Sequence, residues 1–96
     1  MQILKESEDE IILDDEGFQI RAKAIRLGAF AVVAIDFYRE VWCAFHDGML
    51  WYKSFHMRDW EAVNIASWTY KYKNLLVFLK DYPQLLKLFA SVDFPD

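Results

Sequence analysis

Positions 46–48 read His-Asp-Gly, between the runs Glu-Val-Trp-Cys-Ala-Phe and Met-Leu-Trp-Tyr-Lys-Ser-Phe. Asp-Gly between aromatic and β-branched runs is the strongest short-range hairpin signal, because a two-residue type I′ turn needs positive φ at both central residues. A helix ending at Gly48 competes, since Asp36, Arg39, Glu40 and Asp47 fall near one helical face and glycine favours a helical C-terminus. The local richness in Trp, Tyr, Phe and Val decides for the hairpin.

The rest of the chain is read outward from that pair. Residues 2–6 (QILKE) and 10–14 (EIILD), separated by Ser-Glu-Asp, fit a small hairpin in which Ile3, Ile11 and Leu13 share a face. From Phe18 to Ala24 apolar and polar residues alternate, which suits a strand, while the Ala, Arg and Lys content suits a helix equally. Asp59 is placed to N-cap a short helix through RDWEAVNIASW, with a strand as the alternative. The stretch NLLVFL (74–79) reads as a buried strand. Pro83 then opens a terminal helix, PQLLKLFASV, whose Leu85, Leu86, Phe89 and Val92 recur at helical spacing. The expected class is α+β: a small antiparallel sheet or partly open barrel closed by a C-terminal helix, one domain over residues 1–96. With three glycines, two prolines and no repeat, the turns must be short.

Aromatic content bears on function. Eight Phe, five Tyr and four Trp are more rings than a 96-residue core is expected to hide, at ~150–250 Å² each, so some should line a groove or an interface. Charge is uneven as well. The net charge is −4, yet Glu6, Glu8, Asp9, Glu10, Asp14, Asp15 and Glu16 stand against Lys5 alone in the first sixteen residues, leaving the remainder slightly basic. The stretch WTYKYK (68–73) resembles a nucleic-acid stacking strip in one dimension. Read as a half-buried strand, it puts Trp68, Tyr70 and Tyr72 on one side and Lys71 and Lys73 on the other, whereas stacking on a strand of bases needs rings and cations in one groove. With a pI of about 5.1 and no basic footprint, no nucleic-acid partner is expected.

Chemistry is not signalled. Cys43, His46, Asp47 and His56 are the only cluster worth weighing, and on a hairpin Cys43 and His46 face opposite sides. One Cys and two His fall short of a structural zinc site, ESEDEIILDDEG lacks the oxygen spacing of a calcium loop, and Gly17, Gly28 and Gly48 are too isolated for a phosphate loop. No catalytic residue, metal or cofactor is expected. A single cysteine excludes an intrachain disulfide and fits a reducing cytoplasm. The longest apolar run, Leu27 to Ile35, is about half of the ~20 residues a membrane-spanning helix needs, and the acidic start does not read as an export signal.

The expected function is a non-enzymatic protein-binding module of the inhibitor, immunity-protein, antitoxin or adaptor kind. It would dock on a basic protein through Glu8, Asp9, Glu10, Asp14 and Asp15 together with Trp42, Trp51 and Trp60, and self-associate as a dimer. The alternative is a carrier or sensor that takes a small apolar ligand in an aromatic-lined groove.

Overall fold

The computed structural model describes residues 1–7, 10–27 and 30–80. Seven strands precede one helix: β1 (Gln2–Glu6), β2 (Glu10–Asp15), β3 (Phe18–Leu27), β4 (Phe30–Tyr38), β5 (Val41–His46), β6 (Met49–Lys53), β7 (Glu61–Val63) and α1 (Ala66–Lys80). The strands lie in the sheet in chain order, each antiparallel to the next, so the architecture is α+β with an open meander. The segment 18–24, which suits strand and helix equally by pattern, is part of β3.

Three of the turns are two-residue connections with positive φ at both central positions: Glu16-Gly17 (52° and 91°), Arg39-Glu40 (44° and 64°) and Asp47-Gly48 (55° and 74°). The Asp47-Gly48 hairpin stands where the sequence puts it. A Cβ at Gly48 would meet nothing within 4 Å, so backbone conformation rather than crowding calls for glycine there. Arg39-Glu40 has no glycine or asparagine and carries no sequence signal. It is held by Asp36, whose Oδ1 accepts the Glu40 N–H at 3.1 Å while Oδ2 accepts from the Arg21 guanidinium at 2.7 Å. Next to it the ladder slips by one residue, with Asp36 opposite Trp42 but Tyr38 opposite Val41, so Phe37 forms a bulge.

Alternation along the strands gives the sheet a buried face. Ile11, Leu13, Ile20, Ala22, Val33, Ile35, Cys43 and Leu50 point to one side, where Tyr72, Leu75, Leu76 and Leu79 of α1 meet them. Each large aliphatic side chain fully buried there contributes roughly 1.5–3 kcal/mol.

Residues 66–80 form a helix, which corrects two expectations: NLLVFL is not a strand, and neither is WTYKYK. Trp68, Tyr72, Leu75, Leu76 and Leu79 recur at i, i+4, i+7, i+8 and i+11, one helical stripe, and that stripe is the side packed on the sheet. The Tyr72 hydroxyl donates to the Val33 carbonyl at 2.7 Å, fixing the helix over β4. Asp59 caps no helix: the strand alternative holds for part of that segment, as β7, and α1 begins at Ala66, its first turn closing with the Thr69 N–H on the Ile65 carbonyl at 3.0 Å. The terminal helix expected over 83–92 lies outside the described residues. Among the described residues no helix is long and apolar enough to cross a membrane.

Candidate functional site: a cationic aromatic groove

Helix α1 covers one face of the sheet, and the candidate site is on the other. Register builds it from two rows of side chains running across the strands. In one, Lys23 is opposite Ala34, Ala34 opposite Ala44, and Ala44 opposite Trp51. In the other, Arg21 is opposite Asp36, Asp36 opposite Trp42, and Trp42 opposite Lys53. The small Ala34 in the first row leaves a hollow that the longer side chains around it wall in. The result is a groove of about 440 Å³ with Ala34 in its floor. Its walls are Arg21, Lys23, Ile25 and Arg26 of β3, Trp42 and Lys53 of β5 and β6, Glu40 of the strained turn, and Ser54, Phe55 and Trp60 of the β6–β7 loop.

The groove is basic although the chain as a whole is acidic. Four cationic side chains line it against one carboxylate, Glu40. Lys23 Nζ sits 4.3 Å from the centre of the Trp42 ring and the Arg21 guanidinium 5.1 Å from it, so both cations are held at the aromatic wall. Such contacts contribute ~0.5–1 kcal/mol at exposed sites. The hydrogen bond from Arg21 to Asp36 raises the guanidinium pKa further, against an opposing effect of burial. Asp36 is itself buried, 6% exposed, and spends both oxygens on Arg21 and Glu40, so it positions the wall without facing the hollow as a free charge. Lys53 has no ion-pair partner among the described residues. Phe55, 80% exposed, stands at the rim with its ring 4.6 Å from that of His56. Its turn is tied at the base by the Met57 N–H on the Ser54 carbonyl, 3.0 Å, and by the Ser54 N–H on the Met57 sulfur, 3.4 Å.

Trp60 also borders a second hollow, of about 370 Å³, lined by Leu27, His46, Asp47, Trp51 and Asp59. The Trp51 indole N–H donates to the His46 carbonyl at 2.9 Å, which fixes that ring across its own hairpin.

Of the described residues expected to recognise a partner, Glu10, Asp14, Trp42 and Trp51 lie by register on the uncovered face, where Trp60 also lines the groove, and Asp15 alone is on the helix side. Glu8 and Asp9 lie outside the described residues. Glu10 is on the groove face, opposite Lys23 in the ladder, and Asp14 is opposite Gln19. Asp15 faces the helix side, where Lys71 Nζ reaches its Oδ2 at 2.7 Å and holds its carboxyl below the usual carboxylate range. Trp42 and Trp60 are in the cationic groove and Trp51 in the adjoining hollow. The rings of WTYKYK are dispersed. Trp68 packs among Phe37, Tyr38 and Tyr52, Tyr72 stacks on Phe45 in the core, Lys73 lies over the Phe45 ring, and Tyr70 is exposed.

Cys43 is fully buried on the helix side, its thiol pushed up to about 12 by burial and, secondarily, by the charge of Asp36. His46 borders the second hollow, on the opposite face of the sheet. Among the described residues no three His, Cys, Asp or Glu side chains converge as metal ligands.

Sequence reasoning missed Arg21, Lys23, Lys53 and Phe55. Arg21 and Lys23 were visible as i, i+2 neighbours in an alternating segment, which a strand puts on one face. That Trp42 lies across from them requires the register of three strands. No family model, no curated protein and no solved structure matches this chain.

Proposed function

We propose that the protein is a non-enzymatic binding module that captures an organic anion with a flat or apolar portion in the groove of the uncovered sheet face. The observation that carries this reading is the convergence of Arg21, Lys23 and Lys53 with Trp42 and Trp60 on one hollow in a chain of net charge −4. A solvated surface has no need to place its cations on its rings. Lys23 and Lys53, neither ion-paired among the described residues, shift the ligand alternative from an apolar molecule to an amphiphilic anion, because an apolar ligand would desolvate these two ammonium groups without compensation. The burial of Cys43 leaves it a poor nucleophile, so the reading assigns it a packing role.

Titration with naphthalene-2-sulfonate, followed by tryptophan fluorescence and amide chemical shifts, tests the reading. Binding that weakens with salt and is reduced in Lys23→Gln and Lys53→Gln is the expected outcome. Equal binding of neutral 2-naphthol would restore the apolar-ligand reading, and no binding of either would remove the groove from consideration.

Docking of the acidic end on a basic protein is a second reading, favoured by Glu6, Asp14 and Glu16, none of which has an ion-pair partner among the described residues. It predicts an association rate with that partner that falls steeply with added salt and with reversal of these three charges, because complementary charge acts chiefly on encounter. A salt-independent rate would contradict it.

A further inference from the structure

We infer that the anion held in the groove is a phosphate ester of a flat ring, of the size of a single nucleotide. The inference rests on the groove reading and narrows its ligand by size, charge and wall chemistry.

A hollow of about 440 Å³ is within the range of small-molecule sites, roughly 300–1,000 Å³, and suits one nucleotide rather than a run of several. Charge selects phosphate over a single carboxylate. A phosphate monoester carries about −1.5 to −2 at neutral pH. Arg21 is already engaged by Asp36, while Lys23 and Lys53 flank Trp42 from β3 and β6 without a carboxylate bound to either, so a dianion between the two ammonium groups is matched in charge. A monocarboxylate would leave one of them uncompensated.

The ring is placed by what remains. Trp60 forms one wall and Phe55, 80% exposed on a turn closed by its own hydrogen bonds, lines the same hollow as the cations. An exposed Phe on a tied turn beside a basic hollow is a stacking platform, and stacking is tolerant of which base is presented. Glu40, the one carboxylate of the lining, repels phosphate at its end of the groove and can accept from sugar hydroxyls. A longer nucleic acid is disfavoured because Glu40 interrupts the basic lining and the protein is acidic overall. The combination of rings and cations that WTYKYK does not offer in one groove is assembled here from strands distant in the chain.

The test is calorimetric and amide-shift titration of the full chain with adenosine 5′-monophosphate, uridine 5′-monophosphate, adenosine, inorganic phosphate, naphthalene-2-sulfonate and a short oligothymidylate. Both mononucleotides are expected to bind, with adenosine and inorganic phosphate each at least about tenfold weaker, and with Lys23→Gln and Lys53→Gln each costing about tenfold. Phe55→Ala should weaken the nucleotides and leave inorganic phosphate unchanged, and Lys71→Gln, on the helix side, should leave all affinities unchanged, with circular dichroism reporting that each variant is folded. Binding of naphthalene-2-sulfonate without either mononucleotide would overturn this inference and leave the groove function standing. Failure of all three would overturn both. An affinity that climbs with oligothymidylate length above that of the mononucleotides would overturn the single-nucleotide occupant, and nucleotide binding indifferent to Lys23, Lys53 and Phe55 would overturn the site.

Discussion

Asp36 holds together two features that would otherwise be separate, the strained Arg39-Glu40 turn and the cationic wall at Trp42. Replacing it with Asn leaves Arg21 without its counter-charge in a partly buried position, and the expected loss is about 1–3 kcal/mol in urea unfolding. The same turn offers the opposite experiment. Arg39 and Glu40 both have positive φ, which costs an ordinary L-residue roughly 1–2 kcal/mol apiece, so the double change Arg39→Asn, Glu40→Gly should raise stability by about 1 kcal/mol after the greater freedom of glycine in the unfolded chain is deducted. Unfolding midpoints for the two variants should therefore move in opposite directions. Cys43 gives a pH signature. Its thiol is raised from 9.0 to about 12, so the folded state favours the protonated form. The resulting stability is complete below pH 9 and is lost as pH climbs towards 12, the unfolded chain ionising first. Cys43→Ala should flatten the alkaline limb of the stability curve, and in the native protein the thiol should resist iodoacetamide at pH 8 until urea is added.

Among the elements, the β1–β2 and Asp47-Gly48 hairpins were legible, and the Arg39-Glu40 turn and the helix were not. Asp47-Gly48 states its own turn, because the backbone conformation it needs is local and few residues supply it. After Asn74 the run 75–79 is apolar throughout, and such a run is compatible with a buried strand or a buried helix segment. The deciding spacing, Trp68 to Leu79, becomes visible only when WTYKYK and NLLVFL are read as one segment, and Tyr70 and Val77, large but exposed, blur its polar side. Because α1 closes the core, Leu75→Ala should cost about 2–5 kcal/mol in denaturant unfolding. The Lys71–Asp15 pair ties the start of the helix to the β2–β3 turn. Its carboxyl is depressed below 3.8, so the stabilisation is present above that value and disappears as pH falls through the folded-state pKa. Asp15→Asn should lower stability at neutral pH and make acid unfolding shallower, since the contribution it removes is the one that acid would otherwise titrate away.

At the scale of the whole molecule, the two faces of the sheet have different origins in the chain. The covered face follows from alternation and could be anticipated residue by residue, as Ile3, Ile11 and Leu13 were. The open face depends on which strand lies beside which, and a sequence does not display that Ala34 and Ala44 become neighbours, or that Lys23 comes to rest over Trp42. The strand order has a further consequence, in time rather than space. Every strand pairs with its neighbour in sequence, so each hairpin can form as soon as its second strand leaves the ribosome, without waiting for a distant partner. The apolar face so assembled has no cover until residues 72–79 arrive, and throughout synthesis the growing sheet presents Ile11, Ile20, Ile35 and Leu50 to water and to other chains. Helix docking is then the closing event. In stopped-flow experiments Leu75→Ala and Leu79→Ala should chiefly accelerate unfolding, whereas changes to the Asp47-Gly48 hairpin should chiefly slow folding. The nascent chain is thus most prone to aggregate in the interval when the sheet is nearly complete and the helix that seals it has yet to emerge.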